Sequence, residues 1–291
     1  MESPASAVSA ILKRPWGDEE KLFNFVIFCL LFLGMLLFLF PFFWMISTSL
    51  RASDELFLYP PNLIPKKFVF QNYLDIWAKA PFGTYFFNSM VVTTSITIGE
   101  VITSALAAYA FSKIEFPGRE KLFLAFLGTL MIPNIVTLVP VFVIVRKLNW
   151  IDTYMGLIVP ELATAYGIFL LRQFFMTIPQ ELDDAAQIDG FSRLGILLRI
   201  YVPLSVPALM ALAIISFINN WNNFFWPLVV TNSDAMRTLP IGLRFFMEGE
   251  GSGEWQYLMA AATLIIIPPL VVFLALQKYF VRGIAMTGIK G

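Results

Sequence analysis

The sequence predicts an all-α membrane protein with six transmembrane helices. Hydrophobic residues make up 58% of the 291-residue chain and charged residues 14%, against about 25% charged in ordinary soluble domains. Charge-poor runs recur six times along the chain, each near the ~20 residues that cross a hydrocarbon core as a helix. The 30 Phe residues suit lipid contact and packing between helices. Formal net charge is zero, so nothing favours nucleic acid as a partner. There is no His and one Cys, Cys29, inside an apolar run. That removes His-dependent triads, His-ligated metals and an internal disulfide. No catalytic constellation is visible, so the chain is expected to be no enzyme and to hold no metal or cofactor itself.

Residues 1–21 carry Lys13, Arg14, Lys21 and four acids and read as a cytoplasmic tail. The uncharged run 22–50 is too long for the ~7–15 residue core of a signal peptide, so it is a retained first span near 22–46. Pro41-Phe42-Phe43-Trp44 is its interfacial anchor. Residues 51–80, with Tyr59-Pro60-Pro61 and Pro65, read as an extracytoplasmic loop too proline-rich for helix. A second span near 84–111 places Gly99, Thr103 and Ala107 four residues apart, small enough for a neighbouring helix to approach closely. It also holds Glu100. An acid at that depth either serves transport or hydrogen-bonds an adjacent helix, and the sequence leaves both open.

A short loop from Ser112 to Lys121 leads to a third span near 122–145 containing Pro133 and Pro140. The fourth span, roughly 154–176, includes Pro160-Glu161, a second intramembrane acid beside a helix break. The uncharged run from Ile200 to Ser233 holds the fifth span. Residues 234–254 form a second external loop ending in the Gly-rich run 248–254. The sixth span, in 255–277, is expected to kink at Pro268-Pro269, before a short tail from Arg282. Six spans put both termini on one side. With that side cytoplasmic, Lys and Arg number 12 inside against 8 outside, in agreement with the positive-inside rule.

The longest polar interruption in the second half is Pro179 to Pro203. Pro179 suits the first position of a helix, and Glu181, Asp183 and Asp184 put negative charge where the helix dipole favours it. Leu182, Ala185, Ala186 and Asp189 share one face. Gly190 is placed to end that helix, Ser192 to cap a restart, and Leu194, Leu197, Leu198 and Tyr201 to form a second apolar stripe. A surface-bound amphipathic helix would carry Lys and Arg, whereas the first segment has acids only, which suits a basic protein groove. Asp184-Ala185-Ala186, Gly190, Ile200 and Pro203 fall at the Glu-Ala-Ala…Gly…Ile-x-Leu-Pro spacing of binding-protein-dependent ABC importer permeases, with Asp for Glu and Val202 for Leu. By that resemblance Glu181, Asp184, Ala185, Ala186, Gly190, Ile200 and Pro203 dock into an ATPase subunit.

The fifth span ends in Asn219-Asn220-Trp221-Asn222-Asn223-Phe224-Phe225-Trp226-Pro227. Amides at membrane depth need a protein, water or substrate partner, and Asn with Trp suits an uncharged polyol. Asn219, Trp221, Asn222 and Asn223 are therefore candidates for a substrate pathway, with hydrogen bonding between helices the competing role. Trp226 is a candidate interface anchor.

That run, with AYAFSKIEFPGRE (108–120), MIPNIVTLVP (131–140), LNWIDTYMGLIVP (148–160) and the tail RGIAMTGIKG, resembles the carbohydrate permeases of maltose or glycerol-phosphate type. The resemblance covers about residues 70–291. It implies a five-helix type I ABC importer (MetI-like) core plus one N-terminal helix: tail 1–21, first helix and loop 22–83, permease core 84–281 with its coupling loop 179–203, and cytoplasmic tail 282–291. It further implies a homologous second permease subunit, two ATP-binding subunits carrying ATP and Mg, and an extracytoplasmic sugar-binding protein touched by Gly249, Gly251 and Gly253. The location implied is a bacterial or archaeal inner membrane with cytoplasmic termini, and the action is import of a sugar. The competing readings are an ion-coupled secondary transporter using Glu100 and Glu161, and a membrane enzyme for which no acid/base pair is evident.

Overall fold

The backbone forms helices wherever the apolar runs are long, and breaks them where proline or a polar cap interrupts. In the computed structural model, which describes residues 18–247 and 254–288, all regular structure is helical. Three helices are continuous: α1 (Asp18–Ser49), α3 (Phe82–Lys113) and α13 (Trp255–Gly288). Three further spans are bent pairs. Arg119–Met131, containing α4 (Arg119–Gly128), meets α5 (Asn134–Lys147) at 103°. Tyr154–Glu161, containing α6 (Tyr154–Ile158), meets α7 (Ala165–Met176) at 42°. After the loop helix α8 (Gln180–Ile188), α9 (Arg193–Leu204) meets α10 (Val206–Trp221) at 83°. Short helices α2 (Gln71–Lys79), α11 (Phe225–Val230) and α12 (Leu239–Met247) lie between them.

The third span is thus not one helix over 122–145. Ile132, preceding Pro133, is extended (φ −87°, ψ 115°), and Pro133 itself is at ψ 135°, because a proline ring excludes its predecessor from helical backbone. The expected break at Pro160-Glu161 is present, and Thr164 Oγ1 caps the restart by accepting from Tyr166 N at 3.3 Å. In α13, by contrast, the helix runs on through Pro268 and Pro269 and continues past Arg282 to Gly288, where a tail was expected. Two expected loops also contain helix. The prolines of 51–80 stop at Pro65, leaving Gln71–Lys79 free to coil, and Leu239–Met247 occupies part of 234–254. Residues 1–17, most of the N-terminal tail, lie outside the described residues.

α3 is the axis of the bundle, packed against α7 and α10. The small-residue face does what its spacing suggests. A Cβ on Gly99 would fall 2.3 Å from Leu162 Cδ2, and Thr103 Oγ1 donates to the Leu162 carbonyl at 2.6 Å. At one end of α3 a core forms from Ala108, Tyr109, Leu171, Phe175, Ile196, Tyr201 and Leu212. At the other, Phe82, Tyr85, Phe217, Trp221, Leu239 and Ala260 make a second. α1 lies against α13 and leaves its apolar residues outward, as a lipid-facing helix does. Near its C-terminal end Trp44 lies beneath the Arg51 guanidinium, 4.6 Å from the ring centre.

Candidate functional site

The 179–203 loop folds from its own caps. Pro179 sits one position earlier than expected, at the N-cap (φ −56°, ψ 139°). α8 closes with Gly190 in the left-handed region (φ +81°), Gly190 N donating to Gln187 O and Phe191 N to Ala186 O, both at 3.0 Å. These two bonds make a Schellman closure, which favours glycine at that position. Ser192 Oγ then accepts from Gly195 N at 3.2 Å and starts α9.

α8 is divided between two surfaces. Asp183 is fully buried and Ala186 is 3% exposed. Glu181, Leu182, Asp184, Ala185 and Ile188 face outward, Ile188 at 87% exposure. The alanine pair is therefore split, Ala186 seating the helix on the bundle and Ala185 leaving the outer surface low. Gly190 and Pro203 are exposed and Ile200 half-buried. The second stripe is rotated from its expected face. Ile196, Leu197 and Tyr201 are buried, whereas Leu194 and Leu198 are more than half exposed. A π-helical turn at Leu197–Tyr201 lies in this stretch and departs from the 3.6-residue period on which the stripe was drawn.

What holds α8 in place was not legible as a motif. Asp183 accepts from Tyr109 Oη (2.9 Å), Gln187 Nε2 (2.8 Å) and Arg193 Nη1 (3.0 Å). One turn past Tyr109, Lys113 Nζ donates to Ile178 O at 2.7 Å. The signal available was the pair Tyr109 and Lys113, polar groups at i, i+4 where an apolar span ends. Nearby, Arg172 grips Glu120 with one nitrogen at 2.8 and 3.0 Å and donates to Phe111 O at 3.1 Å, tying α7 to α4 and α3.

The amide run is dispersed rather than gathered. Trp221 is 1% exposed, stacked on Phe217, with Nε1 donating to Ile265 O at 3.0 Å, so it does not share a surface with the asparagines. Asn220 and Asn222 turn their amides back onto carbonyls one turn earlier, Ser216 O (2.9 Å) and Ile218 O (2.8 Å). Asn223 Oδ1 accepts from Trp226 N at 3.4 Å. Asn219 and Asn222 are exposed, and Asn222 lines a groove with Phe42, Ile265 and Pro269. Trp226 is buried and donates to Gly156 O at 3.1 Å, so it is a core residue and not an interface anchor. Glu100 accepts a hydrogen bond from Ser216 of α10, the inter-helix role. Gly249, Gly251 and Gly253 lie outside the described residues. Among the described residues no three Asp, Glu, Cys or His side chains group as a metal site requires.

At the far end of α3, Asn88 Nδ2 donates to Ala235 O and Arg237 O at 2.9 Å and its Oδ1 accepts from Tyr154 Oη. Asp152, at φ 58°, accepts from Asn232 N (2.9 Å) and Ser233 N (3.0 Å). Burial opposes the Asp152 charge, but the Ser233 and Asn232 donors and Arg237 outweigh it and hold the carboxyl below its usual range.

Residues 101–286 match the family model described as binding-protein-dependent transport system inner membrane component. The chain is 39% identical over 267 residues to the sn-glycerol-3-phosphate transport system permease protein UgpE of Yersinia enterocolitica, covering 89% of this chain and 95% of that one. It is 37% identical over 281 residues to the protein of the same name from Escherichia coli O1:K1, covering 94% and 98%. A chain of a bacterial ABC transporter involved in the import of the acidic polysaccharide alginate superposes with TM-score 0.81 at 24% identity, covering 92% of this chain and all of that one.

Proposed function

The chain belongs to the family of binding-protein-dependent transport system inner membrane components, and from that premise we propose that it imports a sugar or sugar-derived ligand handed over by a binding protein, α8 being its dock for an ATPase. It is a transport subunit of an ABC importer and not an enzyme. Membership also sets aside the ion-coupled alternative built on Glu100 and Glu161. A homologous permease completes the pathway, two ATP-binding subunits supply ATP and Mg chemistry, and the chain lies in a bacterial or archaeal inner membrane with its termini and α8 on the cytoplasmic side. The observation that carries the docking role is the outward face of α8, acidic at Glu181 and Asp184, low at Ala185, apolar at Leu182 and Ile188.

In this reading ATP binding closes the ATPase pair and draws the docked loops together, and the bundle rocks to open on the other side. The proline-bounded bends at Pro133, Pro160 and Pro207 are where segments can turn relative to one another. Asn219, Asn222 and Asn223 remain the amide groups nearest a pathway, and Gly249, Gly251 and Gly253 the part offered to the binding protein. The test is Gly190→Asp. A Cβ there meets no neighbour, but any side chain inherits φ +81°, so the loop is strained without a steric clash in the bundle. The variant should insert in the membrane normally and hydrolyse ATP without uptake of the ligand that co-purifies with the binding protein. Normal uptake would remove the docking role.

A further inference from the structure

We infer that Asp183 is a positioning residue, a latch that makes α8 and the end of α3 move as one body when the ATPase pulls. The inference rests on the docking reading and adds the route by which a pull on α8 enters the bundle. α8 has nine residues and hangs between two chain turns, at Pro179 and Gly190. Backbone alone would let it pivot. Instead its inner face carries a carboxylate with no exposed surface, met by donors from three places: Tyr109 on α3, Gln187 on α8 itself and Arg193 at the start of α9.

An ionised acid removed from water demands such partners, and hydrogen bonds to a charged acceptor are the stronger kind. Lys113 adds a second cation and binds Ile178 O, the carbonyl just before α8. Tyr201, from α9, packs edge-on to Tyr109 with ring centres 5.0 Å apart and fills the space behind the latch. The docking surface is a different set of side chains on the opposite face, so latch and dock are separable by mutation.

The experiment uses the assembled transporter in lipid nanodiscs, in a Cys29→Ser background, with nitroxide labels at Glu115→Cys beyond α3 and Asp189→Cys at the end of α8. The label-to-label distance is measured at rest and after trapping with ATP and vanadate. With Asp183 intact, one distance should persist through trapping. In Asp183→Asn the resting distance should match it, while trapping should add a second population displaced by about 5 Å, the scale of a one-turn slip. A merely structural role would disturb the resting distance as well. If Asp183→Asn is already disordered at rest, Tyr109→Phe, which deletes one oxygen, is judged by the same criterion. A single, unshifted distance in the trapped variants overturns the latch, as does a shift with Asp183 and Tyr109 intact. Failure of the unmutated chain to retain the ATPase would instead sink the docking reading, a separate and distinguishable result.

Discussion

At one end of α3, Tyr109 donates to the buried Asp183 carboxylate, which Arg193 also meets, and Lys113 holds Ile178 O just before the 179–203 loop. At the other, Tyr85, Asn88 and Ser89 reach the 231–239 segment, and most of those bonds end on backbone: Asn88 on two carbonyls, Ser89 Oγ accepting from Leu239 N at 2.8 Å. The Tyr85 partner, Asp234, is exposed. Both ends are tied by hydrogen bonds, but the loop end is the one that sets a fully buried carboxylate, Asp183, against cations. Charge-assisted contacts resist slippage in a way that neutral, water-replaceable ones do not. That difference suits an end that is pulled and an end that is only held.

Four substitutions probe the two ends and the contacts around them. Asp183→Ala should be the most damaging, about 3 kcal/mol, since it leaves the Tyr109 hydroxyl buried without an acceptor and removes the partner of Arg193. Arg193 is half exposed and recovers some solvation, which keeps the cost from rising further. Thermal unfolding in detergent reads it. Asn88→Ala should cost about 2 kcal/mol by the same assay, as two carbonyls and the Tyr154 hydroxyl lose their partner. Trp226→Phe keeps the ring in the core but deletes the bond to Gly156 O, for about 1 kcal/mol. The smallest effect belongs to Asp152→Asn, which tolerates φ 58° and so isolates the charge. Because the folded carboxyl titrates below its ordinary value, its contribution is present above the unfolded pKa of about 3.9 and is lost as pH falls through the depressed folded value. A melting-temperature difference between Asp152→Asn and the parent should therefore be visible near neutral pH and vanish in strong acid. A difference that grows in acid would contradict the assignment.

Apolar length and cap residues were legible in the sequence, and they located the six spans, the break at Pro160, the loop helix and its Gly190 closure. Gly99 and Thr103 were legible as a contact face because small size has one obvious use between helices. The angle at Pro133 was not, since proline announces a break but not the 103° that tertiary packing selects. Helices at Gln71–Lys79 and Leu239–Met247 were missed because proline and polarity elsewhere in those segments outweighed their local pattern. The amide run misled for a related reason. Side chains that look like ligands for substrate fold back onto carbonyls of their own helix, one turn earlier. By position Asp183 is one of the acids at a helix N-terminus, yet it faces inward. That distinction depends on the rotation of α8 against α3, which a single sequence does not encode locally.

Docking through the outer face of α8 is open to cysteine scanning across that helix in a Cys29→Ser background. With the ATPase subunits assembled, cysteines at Leu182, Asp184 and Ile188 should crosslink to the ATPase while one at Ala186 should not, following the observed exposure. Absence of any crosslink from the outer face, or equal crosslinking from Ala186, would contradict the account.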